Sequence, residues 1–195
     1  LAAAHEHRVP VVPRGAGSGL SGGSNAIDGS LIVCVEKMRD VLLVDDGNGF
    51  VATQPGIYNT ELREYVAQSG LWYAPDPASK DFCSIGGNVN TNAGGLCCVK
   101  YGVTRDAVLG LEVVLADGPL LDNLTALRKD NTGYDLKQLF IGSEGTLGVI
   151  TGCAIACPRA STSTQLAFLG VNSYEALLGG FSAAKKDLGE VLSAV

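Results

Sequence analysis

Short β-branched or leucine-rich runs recur along the first part of the chain, at Val9 to Val12, Leu31 to Val35, Val41 to Val44 and Val51 to Thr53. Gly, Pro, Asp and Asn bound them, and such punctuated runs predict strands. The period changes over Asn59 to Gly70, where Leu62, Tyr65 and Val66 share one helical face behind polar capping residues and Gly70 supplies a stop. Val108 to Ala116 predicts a further strand ended by the turn dipeptide Asp117-Gly118, with Leu120-Leu121 returning antiparallel to it. Beyond Thr151 a strand from Gln165 to Val171 and a helix from Tyr174 to Leu188 read as a fresh unit. Pro, Ser and Thr cluster between Pro158 and Thr164, which places a boundary there. The fold class that follows is α+β.

Composition narrows the class. With 195 residues, 46% of them hydrophobic and 17% charged, the chain can build one sizeable core and part of a second domain. No apolar run approaches the roughly 20 residues of a spanning helix, so a soluble protein is expected. Fourteen basic residues against 20 acidic ones, a net charge of -6, give no electrostatic footprint for nucleic acid or an anionic membrane surface. The six cysteines, Cys34, Cys83, Cys97, Cys98, Cys153 and Cys157, form no C-x-x-C pair and suit small buried hydrophobes in a reducing compartment. His5 and His7 are the only histidines and have no third ligand nearby, so no metal site is expected. Leu1 to Arg8 reads like the last turns of a helix without an initiator Met or a signal peptide, and the far end stops without a closing element. A missing upstream segment and an incomplete second domain are the expectations.

Three glycine-rich stretches carry the chemistry: Arg14 to Gly23, Ile85 to Gly95 and Gly142 to Thr151. Glycine clusters mark backbone that takes φ > 0 or lies close to a ligand. In the first, Gly17-Ser-Gly-Leu-Ser-Gly22 matches G-x-G-x-x-G, but the next strand begins too soon for the crossover helix a Rossmann unit needs. A Walker loop fails as well, because Gly-Lys-Ser/Thr is absent. What remains is a strand, Pro-Arg, and a glycine turn whose successive N–H groups form an anion-binding nest suited to a pyrophosphate. Arg14 either neutralises that anion or ties down the loop. The second stretch adds Asn88, Asn90, Thr91 and Asn92 to a loop expected to expose main chain, fit to read a heteroaromatic edge or to serve as an Asx-rich turn. Ala74-Pro-Asp-Pro-Ala78 is stiff enough to wall a planar ring or to end an edge strand. Glu144 lies between glycines ahead of the buried-strand signal Val149-Ile150.

Val12-Pro-Arg-Gly-Ala-Gly-Ser-Gly-Leu-Ser-Gly-Gly23, Ala74-Pro-Asp-Pro77, Ser84-Ile-Gly-Gly-Asn88, Thr91-Asn-Ala-Gly-Gly95, Lys100-Tyr-Gly-Val103, Leu109 to Gly118 and Gly142-Ser-Glu-Gly-Thr-Leu-Gly148 together resemble a flavoprotein domain. It is the PCMH-type FAD-binding domain of the vanillyl-alcohol-oxidase-like flavoproteins, closest to the FAD-linked D-2-hydroxyacid dehydrogenases. That group includes the glycolate oxidase D-type flavin subunit, D-lactate dehydrogenase and D-2-hydroxyglutarate dehydrogenase, and Leu124 to Ile150 leans toward the last of these. The resemblance implies a domain of two α+β subdomains over residues 1–157 and the beginning of a second α+β substrate or cap domain over 158–195.

By the same resemblance Arg14, Gly15, Ala16, Gly17, Ser18, Gly19, Ser21 and Gly22 hold the FAD pyrophosphate. Pro75, Ser84, Gly86, Gly87, Asn88, Asn92, Gly94, Gly95, Tyr101 and Gly102 line the flavin and ribityl chain. Glu144, Gly145, Gly148 and Ile150 close on the cofactor from the third stretch. No histidine lies near these segments for a covalent linkage, so non-covalent FAD is expected. The implied reaction moves a hydride from Cα of a 2-hydroxy acid to the flavin and yields the 2-oxo acid. The implied catalytic histidines and metal region of the relatives are absent, and Arg128, Lys129 and Lys137 read as solvated surface rather than carboxylate ligands. Two functions follow: a fragment of a dehydrogenase, inactive alone, or a flavin-binding electron-transfer subunit. The implied partners are a small 2-hydroxy acid and an electron acceptor such as a quinone, an electron-transfer flavoprotein or a cytochrome, in a homo-oligomer or with other subunits. The implied place is the bacterial cytoplasm or the mitochondrial matrix.

Overall fold

The computed structural model describes residues 1–195. After a short helix α1 (Ala2–Glu6), strands β1 (Val11–Arg14) and β2 (Leu31–Cys34) pair in parallel, Val11 opposite Leu31 and Arg14 opposite Cys34. Parallel strands need a long return path. Here it runs from Gly15 to Ser30 without any helix, as the spacing requires. β1 lies two residues later than the Val9 to Val12 run suggests. It has a single partner, and Pro13, which lacks an N–H, is tolerated on such an edge.

The larger sheet contains β3 (Val41–Asp45), β4 (Phe50–Thr53), β5 (Val108–Leu115), β6 (Leu120–Asn123) and β7 (Gly148–Ala156), ordered β3-β4-β7-β5-β6 and antiparallel throughout. Its middle strands supply Val51, Leu111, Val113, Ile150, Cys153 and Ile155 to one core. Helix α2 (Asn59–Ala67) lays Leu62 and Val66 on it, both fully buried, while Tyr65 turns outward and is 47% exposed. Full burial of each such aliphatic side chain is worth about 1.5–3 kcal/mol over leaving it exposed. Glu61 fixes the start of α2 by accepting the Tyr58 N–H at 3.3 Å and pairs with Arg39 at 2.6 Å.

The second glycine stretch departs from the expected loop. Ile85–Asn90 is a helix, α3, with Ile85 and Val89 in the core. Ser84 caps it, accepting the Gly87 N–H at 3.3 Å, and the same hydroxyl accepts the Ala16 N–H at 3.3 Å from the first glycine loop. One side chain therefore joins the two clusters. Two glycines make Ile85–Asn90 a poor helix by propensity, so tertiary packing decides. The single-turn helices α4 (Cys98–Tyr101), α5 (Thr104–Ala107) and α6 (Lys137–Phe140) follow.

Past β7 the chain runs beside the turn that follows α2, the Trp72 N–H donating to Pro158 O at 2.8 Å and the Ala160 N–H to Gly70 O at 3.0 Å. Gln165 to Val171 forms no strand: Leu166, Phe168 and Leu169 are each at least 80% exposed, and no neighbouring strand offers a ladder. Helix α7 (Tyr174–Leu188) matches its expected range, opens on the Ser173 cap and buries none of its residues.

Candidate cofactor site

Between the first glycine loop, the start of α3 and the turn at Glu144-Gly145 lies a cleft of about 410 Å³. Its floor is apolar, from Val35, Pro55, Val149 and Ile150, and its walls are largely glycine and small polar residues. The loop follows directly from β1, and its backbone reverses at Gly17 (φ +68) and Gly22 (φ +77). The N–H groups of Gly15 and of Gly17 through Gly23 donate to no protein acceptor. A run of unspent main-chain donors on a concave turn is the physical requirement of an anion nest.

Arg14 and Glu144 are the charged side chains of the lining. The Arg14 guanidinium folds over the loop, with Nε and Nη2 each 3.0 Å from the position a Cβ on Gly17 would take. It makes no ion pair, so its charge stays free for an anion. Glu144 faces the loop from the other wall, its Oε2 2.8 Å from the corresponding position on Gly23. Behind them Asn88 is 2% exposed with its Nδ2 unpartnered. Its side chain lies beside the Tyr73 hydroxyl and the Cys83 thiol, both in the packed wall. Burial also raises the Cys83 thiol in the cleft wall and the neighbouring Tyr73 hydroxyl above their usual ranges. Both are held neutral.

Of the residues implied by the sequence, Arg14, Gly15, Ala16, Gly17, Ser18, Gly19, Ser21, Ser84, Gly86, Gly87, Asn88, Glu144, Gly145 and Ile150 line this cleft. Gly22 belongs to the loop but stands off the lining. Gly148 lines a second cleft of about 520 Å³ beside His5, Arg8 and Pro10, on the other side of the Pro13–Gly145 contact. The others have structural partners outside the lining. Pro75 O accepts from Asn59 Nδ2 at 3.1 Å and Arg63 Nη2 at 2.9 Å. Asn92 Oδ1 accepts the Arg105 N–H at 2.9 Å. Gly94 faces Cys98 Sγ, Gly95 packs on Asp76 and Pro77, Tyr101 meets the Trp72 ring edge-on, and Gly102 abuts Asp106.

Asn90 and Thr91, read with Asn88 as polar groups fit for a heteroaromatic edge, line the cleft as well. Sequence reasoning missed Pro13, Leu20, Gly23, Ser24, Val35, Pro55, Ser79, Cys83, Ala93 and Val149 as lining residues, although Gly23 lay inside a motif already singled out. Val35 and Pro55 come from strand ends with no chemical signature, and only packing brings them to the floor.

A flavin dinucleotide fits these residues on two counts: the unspent donors of Gly15 and Gly17 through Gly23, and the open space beside Gly19, where a Cβ would meet no atom within 4 Å. The comparisons agree. Over 190 residues the chain is 48% identical to the mitochondrial D-2-hydroxyglutarate dehydrogenase of Bos taurus, covering 97% of this chain and 35% of that one. It is 46% identical over 168 residues to glycolate oxidase subunit GlcD of Bacillus subtilis, covering 86% and 36%. The chain spans about a third of the length of these curated relatives. The solved structure of an alkyldihydroxyacetonephosphate synthase superposes with a TM-score of 0.73 at 29% identity, over 82% of this chain and 29% of that one. The family model described as FAD binding domain matches residues 1–122. With the matched stretch more than half of the chain and the cleft-forming loop inside it, the protein belongs to the FAD-binding domain family, and its cofactor is FAD.

Proposed function

We propose that this chain forms the cofactor-binding part of a FAD-linked dehydrogenase or oxidase that converts a D-2-hydroxy acid of the glycolate, D-lactate or D-2-hydroxyglutarate type to its 2-oxo acid. The observation that carries the reading is the run of unspent donors beside Arg14, set in a chain whose relatives bear those enzyme names. When bound, FAD supplies the two-electron acceptor for the hydroxyl-bearing carbon. The main chain of Gly15 to Gly23 and the Arg14 guanidinium hold the diphosphate. Asn88, in the lining at the start of α3, stands on the side of the cleft proposed for the heteroaromatic ring or its ribityl chain. Val35, Val149 and Ile150 keep water from the buried side of the cofactor.

Arg14 is the one cation among the lining residues and lies over the glycine loop. The proposal therefore assigns this cleft to the cofactor and the substrate carboxylate to basic groups outside it. It further takes residues 1–157 as the FAD-binding domain, 158–195 as the beginning of a substrate domain, and the cofactor as non-covalent. The electron acceptor is a quinone, an electron-transfer flavoprotein or a cytochrome. The place is the mitochondrial matrix in a eukaryote and the cytoplasm in a bacterium.

The test is the visible spectrum of the chain after incubation with FAD and removal of unbound cofactor, followed by acid precipitation. A retained flavin spectrum that acid releases into the supernatant supports the reading. A folded, colourless protein overturns it. The substrate class is tested on a longer chain that carries the proposed substrate domain, as anaerobic bleaching of its flavin by D-2-hydroxyglutarate, D-lactate or glycolate, compared with the L-isomers where these exist.

A further inference from the structure

Three residues other than glycine have left-handed backbone, and two of them, Asn92 (φ +47) and Glu144 (φ +52), stand where the second and third glycine stretches meet. Asparagine takes this conformation with comparative ease, but for glutamate it is strained. Glycine would relieve the strain, and glycines at φ +83 and +80 already stand at 142 and 145. The strained seat is nevertheless firmly built. The Glu144 N–H donates to Asn90 O at 2.9 Å and the Gly142 N–H to Val89 O at 3.0 Å, both at the end of α3. Arg105 buckles the same corner: its N–H donates to Asn92 Oδ1 at 2.9 Å and its guanidinium to Ile141 O at 2.5 Å and Gln138 O at 3.0 Å.

What this seat presents is an exposed carboxylate reaching Gly23 of the first glycine loop, without an ion pair or a hydrogen bond to protein of its own. Strain that the surroundings over-determine points to function. A carboxylate only accepts hydrogen bonds, and the diphosphate expected on the facing loop would repel it. The dinucleotide's hydroxyl groups are the donors that suit it. We infer that Glu144 is held in strain so that its carboxylate accepts a hydrogen bond from a sugar-alcohol hydroxyl of the bound dinucleotide, on the ribose or the ribityl chain. The inference rests on the FAD reading above and adds the group that Glu144 recognises.

The test measures FAD affinity by flavin fluorescence quenching and the melting temperature of the cofactor-free chain for the wild type, Glu144→Gly and Glu144→Gln. Glu144→Gly is expected to melt about 2 °C higher, since it relieves the strain, and to bind FAD about 10- to 100-fold more weakly, as befits a lost charge-assisted hydrogen bond. Glu144→Gln keeps the strain and the shape, leaves the melting temperature unchanged and weakens FAD binding by a smaller factor. Undiminished affinity in Glu144→Gly overturns the inference. So does tighter binding by Glu144→Gln, which would make the carboxylate merely repulsive. ADP and FMN, used as separate probes, assign the source: a loss with ADP means the ribose, a loss with FMN the ribityl chain, and a loss with neither overturns the inference. A wild-type chain that binds no FAD overturns the underlying reading, whereas a wild type that binds beside indifferent variants overturns this one alone.

Discussion

From Gly15 to Gly23 the main-chain donors, apart from that of Ala16, have no protein partner, whereas around α3 those of Ile85, Gly86, Gly87, Asn88, Thr91, Asn92 and Ala93 are all spent within the fold. The glycines differ in the same sense. A Cβ on Gly86 would lie 2.6 Å from Pro55 Cβ, and one on Gly95 2.2 Å from the Asp76 carbonyl. A Cβ on Gly19 would meet nothing, and one on Gly17 only the flexible end of Arg14. At Gly86 and Gly95 the chain itself presses on the glycine, whereas at Gly17 and Gly19 it leaves space, the space the proposed FAD site would use; Gly15, against Ser84 Oγ, belongs with the packed class. Glycine richness is thus two signals, one of packing and one of binding.

The largest effect expected from this contrast is at Gly86. Alanine in a helix interior ordinarily stabilises by about 1 kcal/mol, but here the added methyl meets Pro55 in a buried wall, so Gly86→Ala should cost about 3 kcal/mol and lower the melting temperature by about 6 to 12 °C. A melting temperature equal to the wild type would remove the packing explanation. Raising pH attacks the same packed side. Cys153 and Cys157 share the core with Ile85 and Val89, and burial pushes both thiols from 9.0 up to about 12. Their raised folded values mean that the stability they contribute is whole below pH 9, where unfolded thiols begin to ionise, and is lost as pH rises toward 12. Each thiol removes up to about 1.4 kcal/mol per pH unit in that window. Urea unfolding at pH 8 and pH 10, with the Cys153→Ser variant as a control for the slope, checks it.

Much of this was legible. The β-branched runs gave β2 to β6, and the amphipathic spacing at Leu62 and Val66 gave α2, because those signals are local. Helix α3 was illegible, since Ile-Gly-Gly-Asn-Val-Asn opposes helix by propensity and is made helical by the Ser84 cap and the fit of Gly86 against Pro55. The strand expected at Gln165 to Val171 failed for the converse reason: the local pattern suits a strand, but a ladder requires a neighbour. In the site, the glycine loop was readable as a nest from its own residues. The floor at Val35, Pro55 and Val149 was not, because apolar residues at strand ends announce nothing until the fold gathers them.

On the binding side the expected effects are smaller and fall on affinity alone. Gly19→Ala should leave stability within about 0.5 kcal/mol of the wild type, because no protein atom contests the methyl. It should nevertheless weaken FAD about tenfold or more, since the methyl enters space the diphosphate needs and moves the donors away from it. An affinity loss matched by an equal stability loss would merge the two glycine classes into one. Leu20 gives the finest separation. It is fully exposed in the loop while lining the cleft, so it has no apolar contact to lose in the cofactor-free chain. Leu20→Ala should therefore melt with the wild type, yet bind FAD a few-fold more weakly if the side chain covers the cofactor, each buried methylene being worth about 0.8 kcal/mol. Equal affinity in both forms would mean that the loop binds through its main chain and Arg14 alone, which would sharpen the contrast with Gly86 of α3, where Pro55 occupies the place a methyl would take.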